Sequence, residues 1–355
     1  MKRYTLFFSI VFLLIMVFYF YPTKKNHSDM VWIPGGDFMM GSNSRMARAN
    51  EKPAHKVHVD GFWMDKTDVT NAQFAKFVKA TGYITTAERK PDWDTLKVQL
   101  PFGTPKPSDD KLIAGAMVFI GTDHSVTPTD WPSWWTFMPG ADWQHPHGPR
   151  SDLKNKFNHP VVQISYEDAL AYAKWARKKL PTEAQWEFAA RGGLEQKEYA
   201  WGDEFQPKGK RMANTFVGKT FPIVDPEYQA MIDTSPVAQY PANGYGLYDM
   251  AGNVWQWVAD WYRADAFTEE ARGEIACINP KGPTTSFDPA EPNVPEDAPK
   301  RVIRGGSFLC DQNFCTSYRP SARRGIDPFN PMSHIGFRLV VIPAKAGIHL
   351  RPPQK

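Results

Sequence analysis

Two cysteines separated by four residues, Cys310 and Cys315, form the part of this sequence best suited to redox or metal chemistry. Four intervening residues let a short loop bring both sulfurs to one point. In an oxidising compartment such a pair suits a structural disulfide, and with a lowered thiol pKa it suits a redox-active pair without metal. Two thiolates alone also suit a soft ion of low coordination number, such as Cu(I). Spacing leaves these three alternatives open.

The other thiol and the histidines offer weaker candidates. Zinc is a poor fit to two cysteines because a zinc site takes four ligands, and no second Cys or His pair stands at suitable spacing. His55 and His58 are three residues apart in a predicted strand, so they point to opposite faces. His145 and His147 flank a proline in a predicted loop. We interpret all four as structural or solvent-facing, and Cys277 as an incidental thiol.

An aromatic string over 245–257 is the second candidate for a binding function. Trp255 and Trp257 alternate as they would on one face of a buried strand. Asp249, Asn253 and Gln256 supply oxygen atoms of the type that Ca²⁺ accepts. With one carboxylate among them, the residues alone favour a core strand and give only a slight signal for calcium.

Three helices are predicted from N-terminal capping boxes, in which a Ser or Thr side chain and the side chain three residues on satisfy each other's backbone amides. The boxes start at Thr70, Ser165 and Thr182. Gly82 should end the first helix. The second should run to 180, because Pro181 disfavours helical backbone before it, and the third should end at 192–193.

The remaining segments are predicted from turn formers and apolar pattern. Residues 31–65 read as short strands broken by turns, and 301–341 return to strand-like character. Residues 91–160 are rich in Pro, Trp and Asp and show no clear period. The acidic, proline-rich segment 263–300 is predicted to be a long surface excursion.

Composition bounds the function classes. The 355 residues carry 42 basic and 38 acidic side chains, a net charge of +4, which gives no electrostatic case for nucleic acid. The 25 Gly and 31 Pro, together with 13 Trp and 23 Phe, favour a compact domain whose irregular backbone is pinned by buried rings. A chain with three cysteines is no disulfide framework, so each cysteine needs its own explanation.

The N-terminus predicts export. Lys2 and Arg3 precede an uncharged run from Tyr4 to Tyr21, which is long for a signal peptide and lacks a small-residue cleavage site after it. Its length reaches the lower limit for spanning a bilayer. We therefore predict a signal anchor and linker over 1–30, an exported, membrane-anchored catalytic domain over 31–342 on the periplasmic or extracytoplasmic side, and a disordered tail over 343–355.

Taken together, these segments resemble the formylglycine-generating enzyme family, also called sulfatase-modifying factors. The resemblance runs from about residue 31 to residue 341. It rests on these motifs: Ile33-Pro34-Gly35-Gly36, Met40-Gly41, Val69-Thr70-Asn71, Phe74, His159-Pro160-Val161, Leu180-Pro181-Thr182-Glu183-Ala184-Gln185-Trp186-Glu187, Trp201-Gly202, Asn243-Gly244-Tyr245-Gly246-Leu247-Tyr248, Gly252-Asn253-Val254-Trp255, Arg304-Gly305-Gly306-Ser307 and Gly336-Phe337-Arg338. The resemblance implies a single large α+β domain of C-type-lectin-like type with little regular secondary structure.

The resemblance also implies a reaction. Cys310 and Cys315 fall on the family's catalytic pair, which holds Cu(I), and the cysteine of a Cys-x-Pro-x-Arg segment in an extended sulfatase polypeptide joins as a third sulfur. Molecular oxygen then removes hydrogen from the Cβ of that cysteine, and the thioaldehyde hydrolyses to formylglycine. Ser307 and Trp255 match family positions that line the oxygen pocket.

Two calcium sites are implied in the same way. One maps to Asp249, Gly252, Val254 and Gln256, where the usual Asn and Glu have become Asp and Gln. The other retains Asn214 and, as a backbone ligand, Thr215, but its carboxylate partner does not align.

The chain departs from the family beside the cysteines. The family often has His after the first catalytic cysteine and Tyr before the second, where this chain has Asp311 and Phe314; His334 replaces an Asn. A carboxylate at Asp311 should raise the pKa of the cysteines unless metal is bound.

These departures keep two alternatives open. The chain could be a non-catalytic, lectin-like binding module with a plain Cys310–Cys315 disulfide, or a related oxidase with another substrate. The iron-dependent branch is disfavoured, since the sequence has no His-x-x-x-His-x-Glu motif.

Overall fold

The computed structural model describes residues 27–343, apart from 128, 274, 275 and 292, and shows a mixed α/β fold. The predicted signal anchor and the predicted disordered tail fall almost entirely on residues 1–26 and 344–355, outside the described part. Within that part, each helix is too short or too polar to cross a bilayer.

The first strands form where the sequence predicts them. They are β1 (Met30–Ile33), β2 (Gly36–Met40), β3 (His55–Val59) and β4 (Phe62–Asp65). β4 pairs antiparallel with β1 and with the last strand, β12 (Val340–Val341), while β2 and β3 pair in a second sheet. The two ends of the domain therefore meet in one sheet.

The three predicted helices are confirmed, with their capping boxes. They are α1 (Asn71–Thr81), α3 (Tyr166–Trp175) and α4 (Glu183–Arg191); α1 and α4 are followed by Gly82 and Gly192 in the left-handed conformation. The predicted end of α3 at residue 180 is wrong. Arg177 turns the chain at φ 55°, and the amide of Lys179 donates to the carbonyl of Val340 at 2.9 Å. Pairing with β12 thus outcompetes helix extension.

The segment without a clear period contains a hairpin that the sequence did not predict. A one-turn helix, α2 (Trp93–Leu96), precedes β5 (Gly115–Phe119), which pairs with β6 (Trp135–Pro139). The sequence shows no alternation of apolar and polar residues here, because apolar side chains occupy both faces of β5. Ala116 and Val118 are buried, while Met117 and Phe119 are half-buried. Alternation cannot appear in such a strand.

A four-stranded sheet carries the cysteine segment. Its order is β10 (Arg323–Ile326), β9 (Arg301–Arg304), β7 (Trp255–Trp261), β11 (Ile335–Gly336). The predicted strand face with Trp255 and Trp257 is confirmed, and the buried indole of Trp257 donates to the carbonyl of Ile164 at 2.9 Å. Residues 305–315 leave the end of β9 and form the cysteine loop.

Buried ion pairs fix β9 and β10 against α4. Glu183 accepts hydrogen bonds from Arg304 and from both Nε and Nη2 of Arg323, the latter two at 2.7 and 2.8 Å. Burial alone would raise the pKa of Glu183, but Arg323 and Arg304 outweigh it and hold that pKa below its ordinary value. A second buried pair joins Glu51 to Arg319, with Nη2–Oε1 at 2.7 Å.

The predicted surface excursion over 263–300 is wrong in part. It includes α5 (Ala266–Ala271) and β8 (Cys277–Ile278), and Phe267 of α5 is buried in the core with β3. Lys300 is also buried and donates to Asp288 at 2.7 Å. Cys277 is a free, half-buried thiol. Short 3-10 helices complete the fold at Ala49–Glu51, Thr86–Glu88, Lys97–Gln99, Trp131–Ser133, Pro207–Gly209 and Gln229–Met231.

Candidate active site

The two cysteines lie side by side. Cys310 and Cys315 are disulfide-bonded, with their Cα atoms 4.6 Å apart, and both are buried. The loop leaves β9 through Gly305 and Gly306, both at positive φ. A Cβ at Gly306 would lie 2.8 Å from the amide nitrogen of Tyr318, so only glycine fits this close approach.

Two distant segments hold the cysteine loop in place. The amide of Phe216 donates to the carbonyl of Cys310 at 3.0 Å, and the amide of Phe308 donates to the carbonyl of Asn253 at 2.9 Å. Asn253 in turn donates its amide to the carbonyl of Asn214 at 2.7 Å. Backbone hydrogen bonds therefore tie the loop to the very segments in which calcium is predicted.

The carboxylate of Asp311 caps its own loop. It accepts from the amides of Asn313 at 3.0 Å and Phe314 at 2.6 Å, and the amide of Cys315 donates to the Asp311 carbonyl at 3.2 Å. This arrangement is an Asx turn. Asp311 is not among the described residues that line the cleft beside the cysteines. The rise in cysteine pKa expected from its carboxylate stays a prediction.

A cleft of about 280 Å³ opens beside the cysteines. Cys310, Cys315, Ser307 and Trp255 all line it, so the structure brings the four sequence-predicted catalytic residues to one place. Ser307 is fully buried, and its Oγ accepts from the amide of Leu309 at 3.2 Å. Trp255 is nearly buried on β7, where it pairs with Ile335 of β11.

Aromatic side chains form much of the remaining cleft lining, and apart from Phe314 the sequence did not point to them. Phe314 stacks on Phe221 with centroids 4.3 Å apart and meets Trp134 edge-on at 6.1 Å. Trp131 and Trp135 also line the cleft. The three tryptophans, Trp131, Trp134 and Trp135, lie in the segment without a clear period, and only the density of tryptophan there could have signalled them.

His334 closes one side of the cleft as a neutral ring. Its imidazole lies 4.7 Å from the Trp135 ring, and its carbonyl accepts from the amide of Trp255 at 2.9 Å. Burial lowers the pKa of His334 to about 3. The cleft therefore carries no charge from this residue at neutral pH.

The residues predicted to hold one calcium ion are engaged with each other and with Arg338. The Oε1 atom of Gln256 accepts from the Trp186 indole at 2.7 Å and from Arg338 Nε at 2.8 Å, while its Nε2 donates to the Asp249 carbonyl at 2.8 Å. Asp249 Oδ2 accepts from the amide of Ala238 at 2.8 Å. Because both lone pairs of Gln256 Oε1 are used and a guanidinium occupies this position, the Gln256 side chain is not free to bind calcium. Val254 immediately precedes β7, and Gly252 lies in the turn just before that.

The second predicted calcium location is also satisfied internally. Asn214 Nδ2 donates to the Asp233 carbonyl at 2.9 Å, and the Thr215 carbonyl accepts from Arg211 at 2.9 Å. The nearby carboxylate, Asp233, contacts Lys156 Nζ at 2.5 Å and His147 at 3.3 Å. Burial alone would raise the pKa of Asp233, but His147 and Lys156 outweigh it and lower that pKa. A lysine thus supplies the positive charge here.

We expect removal of calcium to leave the fold unchanged. A native-state ligand raises stability in proportion to its binding free energy, and two of the predicted calcium ligands, Gln256 Oε1 and the Thr215 carbonyl, already accept hydrogen bonds from protein donors. Treatment with EGTA should shift Tm by less than about 1 °C, compared with a matched sample given excess CaCl₂. A clear drop in Tm that CaCl₂ reverses, with calcium detected by elemental analysis, would contradict this expectation.

Comparison with known proteins agrees with the geometry. Residues 19–342 match the model of the sulfatase-modifying factor enzyme 1-like domain. The formylglycine-generating enzyme of Mycobacterium tuberculosis is 43% identical over 89% of this chain and 98% of its own length. This chain belongs to the sulfatase-modifying factor family.

Members of the family differ in their named activity. The Mus musculus formylglycine-generating enzyme is 40% identical over 88% of this chain and 74% of its own length. Relatives named inactive C-alpha-formylglycine-generating enzyme 2 match at 33–34% identity. The structure of PvdO from Pseudomonas aeruginosa covers 88% of this chain and 93% of its own, with a TM-score of 0.52 and 22% identity, and supports the fold.

Proposed function

We propose that this chain oxidises the cysteine of a Cys-x-Pro-x-Arg segment in sulfatase polypeptides to formylglycine, with molecular oxygen as oxidant. One observation carries the proposal: Cys310 and Cys315 lie together in the wall of an aromatic cleft. Family relatives named for this reaction match nearly the whole domain. We further propose the C-type-lectin-like scaffold for the domain, export, and tethering to the membrane through residues 4–21.

Copper is the metal that the donor set fits. Once the disulfide is reduced, Cys310 and Cys315 would present two soft thiolates at one point in the cleft wall, with no hard carboxylate among the described lining residues. Bound Cu(I) would supply the one-electron chemistry that oxygen activation requires. Elsewhere in the described part of the chain, no three His, Cys, Asp or Glu side chains converge to hold a metal.

The protein's own side chains define what enters the cleft. A volume of about 280 Å³ admits a few side chains of an extended segment but not a folded domain. Trp255, Trp134 and Phe314 give the cleft an apolar lining, which disfavours water beside the reacting cysteine, as an oxidation sensitive to side reactions requires. Oxidation of the substrate cysteine to a thioaldehyde removes two hydrogen atoms, which pass to molecular oxygen. Two further hydrogen atoms from a thiol reductant, which becomes a disulfide, complete the reduction of oxygen to two molecules of water. Hydrolysis of the thioaldehyde then replaces sulfur by oxygen and releases hydrogen sulfide.

The test is conversion of a peptide. The exported domain, loaded with copper under a thiol reductant and air, is incubated with a Cys-x-Pro-x-Arg peptide, and the product is identified by mass spectrometry and hydrazide capture of the aldehyde. Absence of aldehyde under copper and oxygen contradicts the proposal.

A binding module remains the second candidate because the structure pairs the two cysteines and caps their loop with Asp311. Intact mass with and without reductant, together with titration by Cu(I), separates the two functions. A module would keep a stable disulfide and bind no stoichiometric copper.

A further inference from the structure

A cation without a partner stands in the wall of the candidate cleft. Arg324 lines the cleft, and the structure gives its side chain no hydrogen bond or ion pair among the described residues. Arginine side chains held at half-buried positions normally have an anionic or carbonyl partner, because an unpaired charge loses solvation without compensation. The neighbouring β10 residue, Arg323, shows the ordinary case through its bonds to Glu183.

Strand register places Arg324 on the cleft face of the sheet. Arg324 is directly opposite Ile303, and Ile303 is directly opposite Trp257. Opposed residues of antiparallel strands share a face, as do Trp255 and Trp257 two positions apart. Arg324 therefore lies on the same face of the sheet as Trp255. Two strand spacings separate Arg324 from Trp257, a distance of about 10 Å across the sheet.

The surroundings of Arg324 add positive charge. Burial and then the like charge of Arg48 lower the pKa of Arg324 to about 10. Arg48 is itself half-buried and makes no side-chain ion pair in the described structure. The carboxylate of Glu51 attracts both arginines at a distance but does not outweigh their burial, and its two oxygens are hydrogen-bonded to Arg319 and Ser321 instead.

While Cys310 and Cys315 are disulfide-bonded, Arg324 is the one formal charge among the described residues that line the cleft. None of the described residues that line it is Asp or Glu, and burial keeps His334 neutral at neutral pH. A planar guanidinium in such a setting binds a carboxylate through two parallel hydrogen bonds.

We propose that Arg324, with Arg48 beside it, binds a carboxylate side chain of the substrate polypeptide and selects segments that carry Asp or Glu near the reacting cysteine. This inference rests on the proposed function and names a property of its substrate. An extended segment rises about 3.3 Å per residue. Three residues therefore span about 10 Å, and Arg324 lines the same cleft as both cysteines, so we expect a carboxylate within about three residues of the reacting cysteine to meet Arg324.

The experiment compares matched peptides. Glu is scanned through the variable positions within three residues of the cysteine in a Cys-x-Pro-x-Arg peptide, and each peptide is paired with its Gln twin. We expect kcat/KM for one or two positions to favour Glu by roughly three- to tenfold. The ratio should fall to about one in Arg324→Gln, decrease in Arg48→Gln, and stay at the wild-type value in Arg45→Gln, which removes an exposed arginine from the same segment as Arg48.

Charge reversal completes the test. Arg324→Glu should prefer a Lys twin at the same position. A wild-type ratio near one at every position, or an unchanged ratio in Arg324→Gln with a native circular dichroism spectrum, overturns the inference while leaving the proposed function intact. If the wild type converts no peptide, the proposed function fails, and the ratio of Kd values for the same Glu and Gln twins, from fluorescence anisotropy, decides the inference separately.

Discussion

Either substitution, Cys310→Ser or Cys315→Ser, should lower kcat/KM for aldehyde formation by at least about a thousandfold. Residues that act as one catalytic unit lose their function when any one of them is removed. One remaining sulfur cannot hold a soft ion as a pair does, and a hydroxyl is a much poorer ligand for it. The measurement is peptide conversion by mass spectrometry, with bound copper determined on the same samples.

The matched control is Cys277→Ser, which removes the one other cysteine of the chain, a half-buried thiol on β8. This variant should keep wild-type conversion. Loss of a disulfide that closes so short a loop costs only about 2 kcal/mol, so the serine variants of the pair should remain folded by circular dichroism. Full turnover in either of them would show that the two sulfurs do not form the site.

Replacing Glu183 with alanine should destabilise the domain by about 3–5 kcal/mol, the usual cost of removing one partner from a buried ion pair. The change leaves the guanidinium groups of Arg304 and Arg323, both fully buried, without their shared carboxylate. The measurement is the free energy of unfolding from a denaturant titration.

The control for this prediction is another Glu→Ala change on a neighbouring helix. Glu167 of α3 is exposed and reaches Arg89 at 3.3 Å on the surface, so Glu167→Ala should cost less than about 1 kcal/mol. Equal effects of the two substitutions would mean that the buried pairs contribute little. Since β9 leads directly into the cysteine loop, Glu183→Ala should also weaken peptide conversion.

Local signals explain what the sequence predicted. The capping boxes at Thr70, Ser165 and Thr182 involve atoms within one helical turn, so no tertiary information is needed to see them. The predicted end of α3 was wrong because the chain after the helix pairs with a distant strand: Lys179 hydrogen-bonds to Val340, 161 residues away in sequence. The hairpin β5–β6 was not predicted, because both faces of β5 are covered and its sequence therefore shows no alternation of apolar and polar residues.

The candidate site divides in the same way. Cys310 and Cys315 were recognised from spacing and motif, and the structure places them together. The tryptophans of the aromatic wall could not be predicted, because they lie far from the cysteines in sequence. Arg324 is near Cys315 in sequence, but only the pairing of β10 with β9 places it at the cleft. Calcium at Gln256 was suggested by ligand type and by the family resemblance, whereas the competing donors, Trp186 and Arg338, become visible only in three dimensions.

The pairing of the last strand, β12, with β4 near the start of the domain determines when the site can exist during synthesis. β12 joins β4 at one edge, and β11 runs parallel to β7 beside Trp255, so the cleft wall is completed by the final residues of the domain. Contacts of such long sequence separation form late in folding. A chain emerging N-terminus first thus carries both cysteines before it has a cleft to hold them, and the reactive centre is assembled only once the whole domain is available.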